Sequence, residues 1–112
     1  MRLEGKKYLY DIREAAAWAV QFTAGADFAE YRRNAMMRLA VERVFVIIGE
    51  ALVQLARVDP DVAAKVTDFR SIVAFRNILV HAYAQVDDAI VWDIAQSRLP
   101  LLLEEVSTLL DE

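Results

Sequence analysis

Apolar residues recur at intervals of three and four in the first part of the chain, which predicts an amphipathic helix over about residues 6–22. The apolar stripe of this helix consists of Leu9, Ile12, Ala16, Ala19 and Val20. Gly25 follows the last periodic residue, and glycine is typical just past a helix end because it adopts a left-handed backbone without strain. We therefore expect the first helix to stop before Gly25.

A second helix is predicted over about residues 28–58, with Asp27 as its N-terminal cap. It is the longest predicted element, and its apolar arc is wide enough to contact more than one neighbour. Met36 and Met37 are expected to fill the core. Gly49 lies inside the helix, where glycine is unfavourable, which indicates that another helix packs closely at this point.

The rest of the chain predicts two further long helices and a short one. Asp59-Pro60 suits the cap and first position of a short helix that ends near residue 66. A third long helix is predicted over about residues 68–83, and a last one from a cap at Asp87 to the C-terminus. The expected architecture is all-α, an up-and-down bundle of four main helices plus a short one, in a single domain spanning residues 1–112.

The composition adds an expectation about assembly. Apolar residues make up 57% of the 112 residues, above the roughly 45–50% of ordinary soluble domains. A domain of this size has a poor surface-to-volume ratio and cannot bury so much apolar surface alone. We therefore expect a face for self-association and a homodimer.

The residue inventory narrows the classes of function. The chain has no cysteine and one histidine, which excludes disulfides, thiolate zinc sites and a histidine-rich metal site within one chain. We expect neither a metal nor another cofactor. Apolar runs fall far short of the ~20 residues of a membrane span, and the N-terminus lacks the apolar centre of a signal peptide. A soluble, cytoplasmic protein with no membrane association is expected.

Charge is distributed unevenly along the chain. The net charge is −4, yet residues 1–83 carry 12 basic and 10 acidic side chains, whereas residues 84–112 carry one basic and seven acidic ones. The acidic last helix could dock a basic partner. Lys65, Arg70 and Arg76 make the region before it locally basic, so this region could accept a phosphate backbone.

The candidate chemistry lies in residues 76–83, which contain the only histidine. On an ideal helix, Arg76 and His81 point about 140° apart. Tyr83, seven residues after Arg76, nearly eclipses it, and Asn77 neighbours His81. Apolar residues fill much of the remaining helix surface, which predicts that the helix is largely buried and that its polar groups need partners. Either the helix loosens towards its end, or these groups face a cleft between two subunits.

Such groups suit the cleavage of RNA without a metal. An imidazole can take the proton from a 2′-hydroxyl as it attacks the adjacent phosphate, or protonate the leaving oxygen. A guanidinium can neutralise the charge that builds on the phosphoryl oxygens. The residues alone leave structural interpretations open as well. His81 could be a satisfied residue at a helix end, and Tyr83 could lie at a core edge. Arg76 could pair with Glu50 or Glu42.

The pattern Arg-Asn-x-x-x-His-x-Tyr at residues 76–83 resembles the signature of HEPN-domain ribonucleases, and within them the HepT-like toxins. The resemblance extends along nearly the whole chain. Residues 8–12 and 22–25 are similar to the family's opening helix. Residues 40–51, which end in Ile-Ile-Gly-Glu-Ala, resemble its long second helix, and Val91-Trp92 with Leu99-Pro100 resembles its last.

The resemblance implies a helical bundle that dimerises with the two motifs meeting at a cleft. It implies metal-independent cleavage of RNA, not DNA, with Arg76 and His81 as catalytic residues and Asn77 as support. Lys65 and Arg70 would then bind the RNA. It also implies an antitoxin partner, a MntA-like minimal nucleotidyltransferase that transfers AMP from ATP onto the motif tyrosine.

That tyrosine is Tyr83 in this chain, and an AMP group there would add negative charge and bulk that repel RNA phosphates. Two alternatives to the toxin interpretation stay open at this point. One is a non-catalytic HEPN subunit that binds a nucleotide or docks on a nucleotidyltransferase. The other is a packed helix end that binds no ligand.

Overall fold

The computed structural model of the chain describes residues 2–112, which form six α-helices and one short 3₁₀ helix without any β-strand among them. The α-helices are α1 (Leu3–Thr23), α2 (Phe28–Arg33), α3 (Ala35–Val58), α4 (Pro60–Ala63), α5 (Phe69–His81) and α6 (Asp88–Asp111). The 3₁₀ helix, Tyr83–Gln85, lies between α5 and α6. The predicted all-α bundle is confirmed.

The helices pack in pairs around one apolar core. α1 lies against both α3 and α6, and α3 also carries α5 on its other side. The largest fully buried side chains are Tyr31, Phe45, Leu9, Ile12, Ile48, Leu52, Leu55, Leu99, Val41, Val91 and Val106. None of the helices within residues 2–112 combines the length and apolar character needed to cross a bilayer.

Several helix ends follow the predicted local chemistry. Gly25 adopts a φ of +76° just past α1. Asp27 accepts a hydrogen bond from the Glu30 amide at 2.8 Å. Asp87 accepts one from the Ala89 amide at 2.9 Å. Asp59 caps α4, whose first residue is Pro60. These side-chain acceptors satisfy amide groups that a helix leaves free at its N-terminus.

The predicted single helix over residues 28–58 is wrong, because the chain breaks at Asn34. The Asn34 side chain accepts a hydrogen bond from the Met37 amide at 3.0 Å and so starts α3. The guanidinium of Arg38 donates to the carbonyl of Arg32 at the end of α2. Both sides of the break thus have partners for free backbone groups, which lowers the cost of an interruption here.

Met36 and Met37 do not both fill the core. Met36 is 78% exposed and Leu39 is 66% exposed, whereas Met37 packs partly against the core. The first two turns of α3 therefore present an apolar surface to solvent. Val20, which belongs to the predicted stripe of α1, is 36% exposed, while the other four residues of that stripe are buried.

The predicted helix over residues 68–83 is shorter and more exposed than expected. It begins at Phe69 after Asp68, which adopts a left-handed φ of 56° and forms an ion pair with Arg98 of α6 at 2.6 Å. It ends at His81. Only Ile72 and Leu79 are buried in it, so α5 is an edge helix rather than a largely buried one.

Candidate active site

The position of Arg76 depends on a close approach between α3 and α5. Gly49 is buried in α3, and a Cβ atom added to it would overlap Cβ and Cγ of Arg76. The two helices can therefore lie this close only because residue 49 has no side chain. The close packing predicted from Gly49 is confirmed, and its partner is Arg76.

The guanidinium of Arg76 is held by two neighbours. One nitrogen donates to the carboxylate of Glu50, next to Gly49 on α3. Another donates to the Asn77 side-chain oxygen at 2.7 Å. Its Nε atom is buried and has no hydrogen-bond partner among the described residues. Of the two ion-pair partners considered for Arg76, the structure brings Glu50 to it, and Asn77 orients it from the same helix.

His81 is the last residue of α5, and its side chain is exposed. Asn77, one turn earlier, is exposed as well. Arg76 faces α3, whereas His81 lies about 140° around the helix from it. Within residues 2–112, His81 forms no side-chain hydrogen bond. The structure thus brings Arg76, Asn77 and Glu50 together and leaves His81 open to solvent.

Tyr83 does not share the helix stripe of Arg76, contrary to the expected near-eclipse. The helix ends before it, because Ala82 leaves helical geometry with φ −131° and ψ 40°. Tyr83 starts the 3₁₀ helix and is 77% exposed. The loosening considered for the end of the motif helix therefore occurs, and it presents the tyrosine to solvent.

Arg76 forms part of the wall of an open groove. The groove lies between α1 and α5, has α3 as its floor, and encloses about 670 Å³. Arg76 and Val80 line it on the α5 side, and Trp18 lines it on the α1 side. Glu50 and Arg43 contribute charges from α3. A volume of this size is in the usual range of about 300–1,000 Å³ for small-ligand sites.

The other two predicted cations lie apart from this groove. Arg70 is exposed in the first turn of α5, where its guanidinium lies 5.9 Å from the centre of the Phe69 ring. Lys65 is exposed in the segment before α5 and lines a shallow depression with Glu104 and Glu105 of α6. Among residues 2–112, no group of three or more His, Asp or Glu side chains has an arrangement that could hold a metal ion.

A second polar cluster joins α2, α3 and the start of α6. Burial raises the pKa of the Glu42 carboxyl, and the nearby Asp88 raises it further, while Arg38 acts in the opposite direction. Burial likewise raises the pKa of Tyr31. The Tyr31 ring packs against Trp92 with 5.1 Å between ring centres, and its hydroxyl has no hydrogen-bond partner among the described residues.

A known protein family matches most of this chain. The family model described as ribonuclease HepT-like matches residues 12–109. A putative RNase of Methanocaldococcus jannaschii is 36% identical over 103 residues, covering 90% of this chain and 92% of the relative. A probable ribonuclease HepT of Thermococcus cleftensis is 30% identical over 106 residues, covering 91% and 92%. No solved structure matches. The chain belongs to the HepT-like ribonuclease family.

Sequence reasoning missed two features of this region. Trp18 and Arg43 join the groove only because α1 and α3 pack side by side, and their separation along the chain gives no signal of this. The interaction of Tyr31 with Glu42 depends on the break at Asn34, which the apolar pattern does not reveal. The pairing of Gly49-Glu50 with Arg76, in contrast, was within reach of a pattern argument.

Proposed function

We propose that this protein is the toxin of a toxin–antitoxin pair, a metal-independent endoribonuclease that acts in the cytoplasm. The observation that carries the proposal is the position of the Arg76 guanidinium. Glu50 and Asn77 hold it at the wall of an open groove, and the exposed His81 follows five residues later. Membership of the HepT-like ribonuclease family and the names of the relatives as RNases support it.

The proposed reaction is an internal phosphoryl transfer within RNA. The imidazole of His81 takes the proton from a 2′-hydroxyl, whose oxygen attacks the adjacent phosphorus. The bond to the 5′-oxygen of the next nucleotide breaks, and that oxygen receives a proton from a second acid. The products are a 2′,3′-cyclic phosphate and a 5′-hydroxyl. Arg76 neutralises charge on the phosphoryl oxygens, and Asn77 orients Arg76.

The second acid is supplied by a second copy of the chain. Arg76 and His81 diverge around α5, so a symmetric homodimer is needed to bring an arginine and two histidines to one phosphate. Exposed apolar residues support a self-association face near the motif. Ile78 is 46% exposed and Val80 is 41% exposed on α5.

Lys65 and Arg70 are the proposed RNA-backbone contacts outside the catalytic centre. Both are exposed and precede Arg76 on the way into α5. Each phosphate contact contributes a salt-dependent share of the affinity. Because Lys65 lies beside two carboxylates of α6, its share should be smaller than that of Arg70.

Regulation is proposed to occur at Tyr83. A MntA-like nucleotidyltransferase would transfer AMP from ATP onto its hydroxyl, with pyrophosphate as the leaving group. The exposure of Tyr83 in a 3₁₀ helix after α5 supports this, since a transferase must reach the hydroxyl. The added negative charge and bulk beside the motif would keep RNA phosphates away.

RNA cleavage by the purified protein tests the proposal. The wild type should cleave RNA in the presence of EDTA, and His81→Ala and Arg76→Ala should each lose the activity while keeping the helical circular dichroism spectrum. Analytical ultracentrifugation should show a dimer. Normal cleavage by His81→Ala would contradict the catalytic assignment.

A non-catalytic docking subunit is the second candidate, and the ion pair of Arg76 with Glu50 favours it, because a paired arginine can serve structure alone. It predicts that the wild type does not cleave RNA, and that it binds the nucleotidyltransferase regardless of Arg76.

A further inference from the structure

The groove that contains Arg76 has an exposed aromatic side chain on its opposite wall. Trp18 of α1 is 43% exposed, and it lines the groove together with Tyr8 of the same helix. We infer that this groove is a nucleotide subsite, in which a base flanking the scissile phosphate of the RNA stacks on Trp18. The inference rests on the proposed function, since it takes Arg76 as a phosphate-binding group.

The shape and lining of the groove suit a base. Its floor includes the half-buried side chains of Val46 and Ile47, and its volume is about 670 Å³. An exposed indole offers a flat face on which any base can stack. Trp18 is partly exposed to solvent, although burial of an apolar side chain of this size lowers the free energy.

The basic groups of the groove belong to helices other than α1, which carries Trp18. Arg76 belongs to α5 and Arg43 to α3. Arg43 forms no ion pair with any residue of the described range 2–112, so its guanidinium is available to a second phosphate. An RNA backbone would therefore run along the α3–α5 side of the groove.

Two acidic groups of the groove lie on the same helix as Trp18, and the third, Glu50, is paired with Arg76. Asp11 and Glu14 line the groove from α1, seven and four residues before Trp18, which places the three side chains on one face of the helix. Carboxylates repel phosphate and accept hydrogen bonds from amino groups. They would therefore orient the nucleotide with its base towards α1, and they would favour adenine, guanine or cytosine over uracil, which lacks an exocyclic amino group.

Binding of RNA that cannot be cleaved separates this subsite from catalysis. Short, fluorescently labelled and fully 2′-O-methylated RNAs lack the nucleophile, so fluorescence anisotropy measures binding alone. Trp18→Ala should weaken binding about tenfold or more, whereas Trp18→Phe should retain most of the affinity. Phe22→Ala is the matched control, because Phe22 is also 43% exposed on α1 but does not line the groove. This control should bind as the wild type does.

The base preference is tested with the double variant Asp11→Asn and Glu14→Gln. The wild type should bind oligonucleotides of adenine, guanine or cytosine more tightly than those of uracil, and the double variant should lose most of this difference. Circular dichroism checks that each variant folds. If Trp18→Ala does not fold, Trp18→Leu replaces it, because leucine keeps an apolar side chain without an aromatic face and should weaken binding in the same way.

Two results would overturn the subsite. One is unchanged binding by Trp18→Ala. The other is a monomeric Trp18→Ala protein where the wild type is a dimer, which would show that a second copy covers the groove. A parallel assay with unmodified RNA separates the two proposals. If the RNA is not cleaved but Trp18→Ala still weakens binding, the proposed catalysis fails and the subsite stands. If cleavage occurs and Trp18→Ala binds as the wild type does, the subsite proposal fails and the proposed catalysis stands.

Discussion

The backbone of Gly49 lies directly beneath the side chain of Arg76, so the place of the guanidinium depends on the absence of a side chain on the neighbouring helix. Glu50, the next residue, pairs with the same guanidinium. One two-residue segment of α3 therefore provides both the space for Arg76 and its anchor.

Gly49→Ala should disturb the site through this contact. The new methyl group would overlap the Arg76 stem, and overpacking of this kind costs typically about 1–3 kcal/mol. The gain of up to about 1 kcal/mol in helix propensity offsets part of that cost. We expect a lower urea midpoint and a marked loss of RNA cleavage, because the guanidinium must move.

Gly5→Ala is the matched control for this substitution. Gly5 is also buried inside a helix, but a Cβ atom there would make only ordinary contacts, the nearest at 3.5 Å from Asp59. The Gly5→Ala variant should be as stable as the wild type or more stable by up to about 1 kcal/mol. If Gly49→Ala matched this control in both stability and cleavage, the close contact between Gly49 and Arg76 would matter for neither.

Substitutions of Glu50 should separate its charge from its hydrogen bond. Glu50→Ala leaves the Arg76 guanidinium without its anchor, and we expect cleavage to fall about tenfold, which corresponds to about 1.4 kcal/mol of transition-state stabilisation. Glu50→Gln can still accept the hydrogen bond and should retain most activity. The free energy of unfolding should change by no more than about 1 kcal/mol in either variant, because the carboxylate is half exposed.

Glu30→Gln, an exposed position on α2 away from the groove, is the control and should cleave as the wild type does. Full activity of Glu50→Ala would show that Arg76 needs no anchor on α3.

Tyr83→Phe should remove the proposed modification. With a nucleotidyltransferase of the MntA type and ATP, mass spectrometry should find AMP on Tyr83 of the wild type and none on the variant. The cleavage rate of the variant should not change when the transferase and ATP are added, whereas that of the wild type should fall. Tyr10→Phe alters another exposed tyrosine, 51% exposed on α1, and should still be modified on Tyr83. AMP on a different residue of the wild type would refute the assignment.

Stability should depend on pH through Glu42. The pKa of this carboxyl is raised in the folded state, mainly by burial, so the folded chain binds its proton more tightly than the unfolded chain does. The stabilisation that the proton on Glu42 gives to the folded chain is therefore fully present below the unfolded pKa of about 4.3. It is lost as the pH rises through the folded pKa. Glu42→Gln avoids the charge, so it should be more stable than the wild type at neutral pH. The stability advantage of Glu42→Gln should shrink on acidification. Urea titrations across this pH range measure it, and a constant advantage would contradict the role of Glu42.

The parts of the fold that were predictable depend on local chemistry. The C-terminal end of α1, the Asp87 start of α6 and the Asp59-Pro60 start of α4 follow from side chains and backbone preferences within a few residues. The same holds for Gly25, because its positive φ depends on glycine itself and on its place just past a helix end. Local hydrogen bonds of this kind need no distant partner, so the sequence alone identifies them.

The parts that were not predictable depend on competition between local and distant contacts. The apolar periodicity continues past Asn34 and so outweighs the N-cap preference of asparagine, whose side chain starts a new helix. The end of α5 at His81 likewise escapes a periodic pattern that continues to Tyr83. In both places packing against the rest of the bundle competes with the local preference for a continuous helix.

The amino-acid sequence by itself determined the all-α class, the motif that carries the candidate chemistry, and the close approach at Gly49, because each follows from periodicity, residue type or the lack of a side chain. Only the tertiary structure decided that Arg76 faces Glu50, that His81 faces solvent, and that Tyr83 lies beyond the helix. It also decided that Trp18 and Arg43 share a groove with Arg76. The directions of these side chains depend on where α5 ends and on which helices flank α3, and long-range packing sets both.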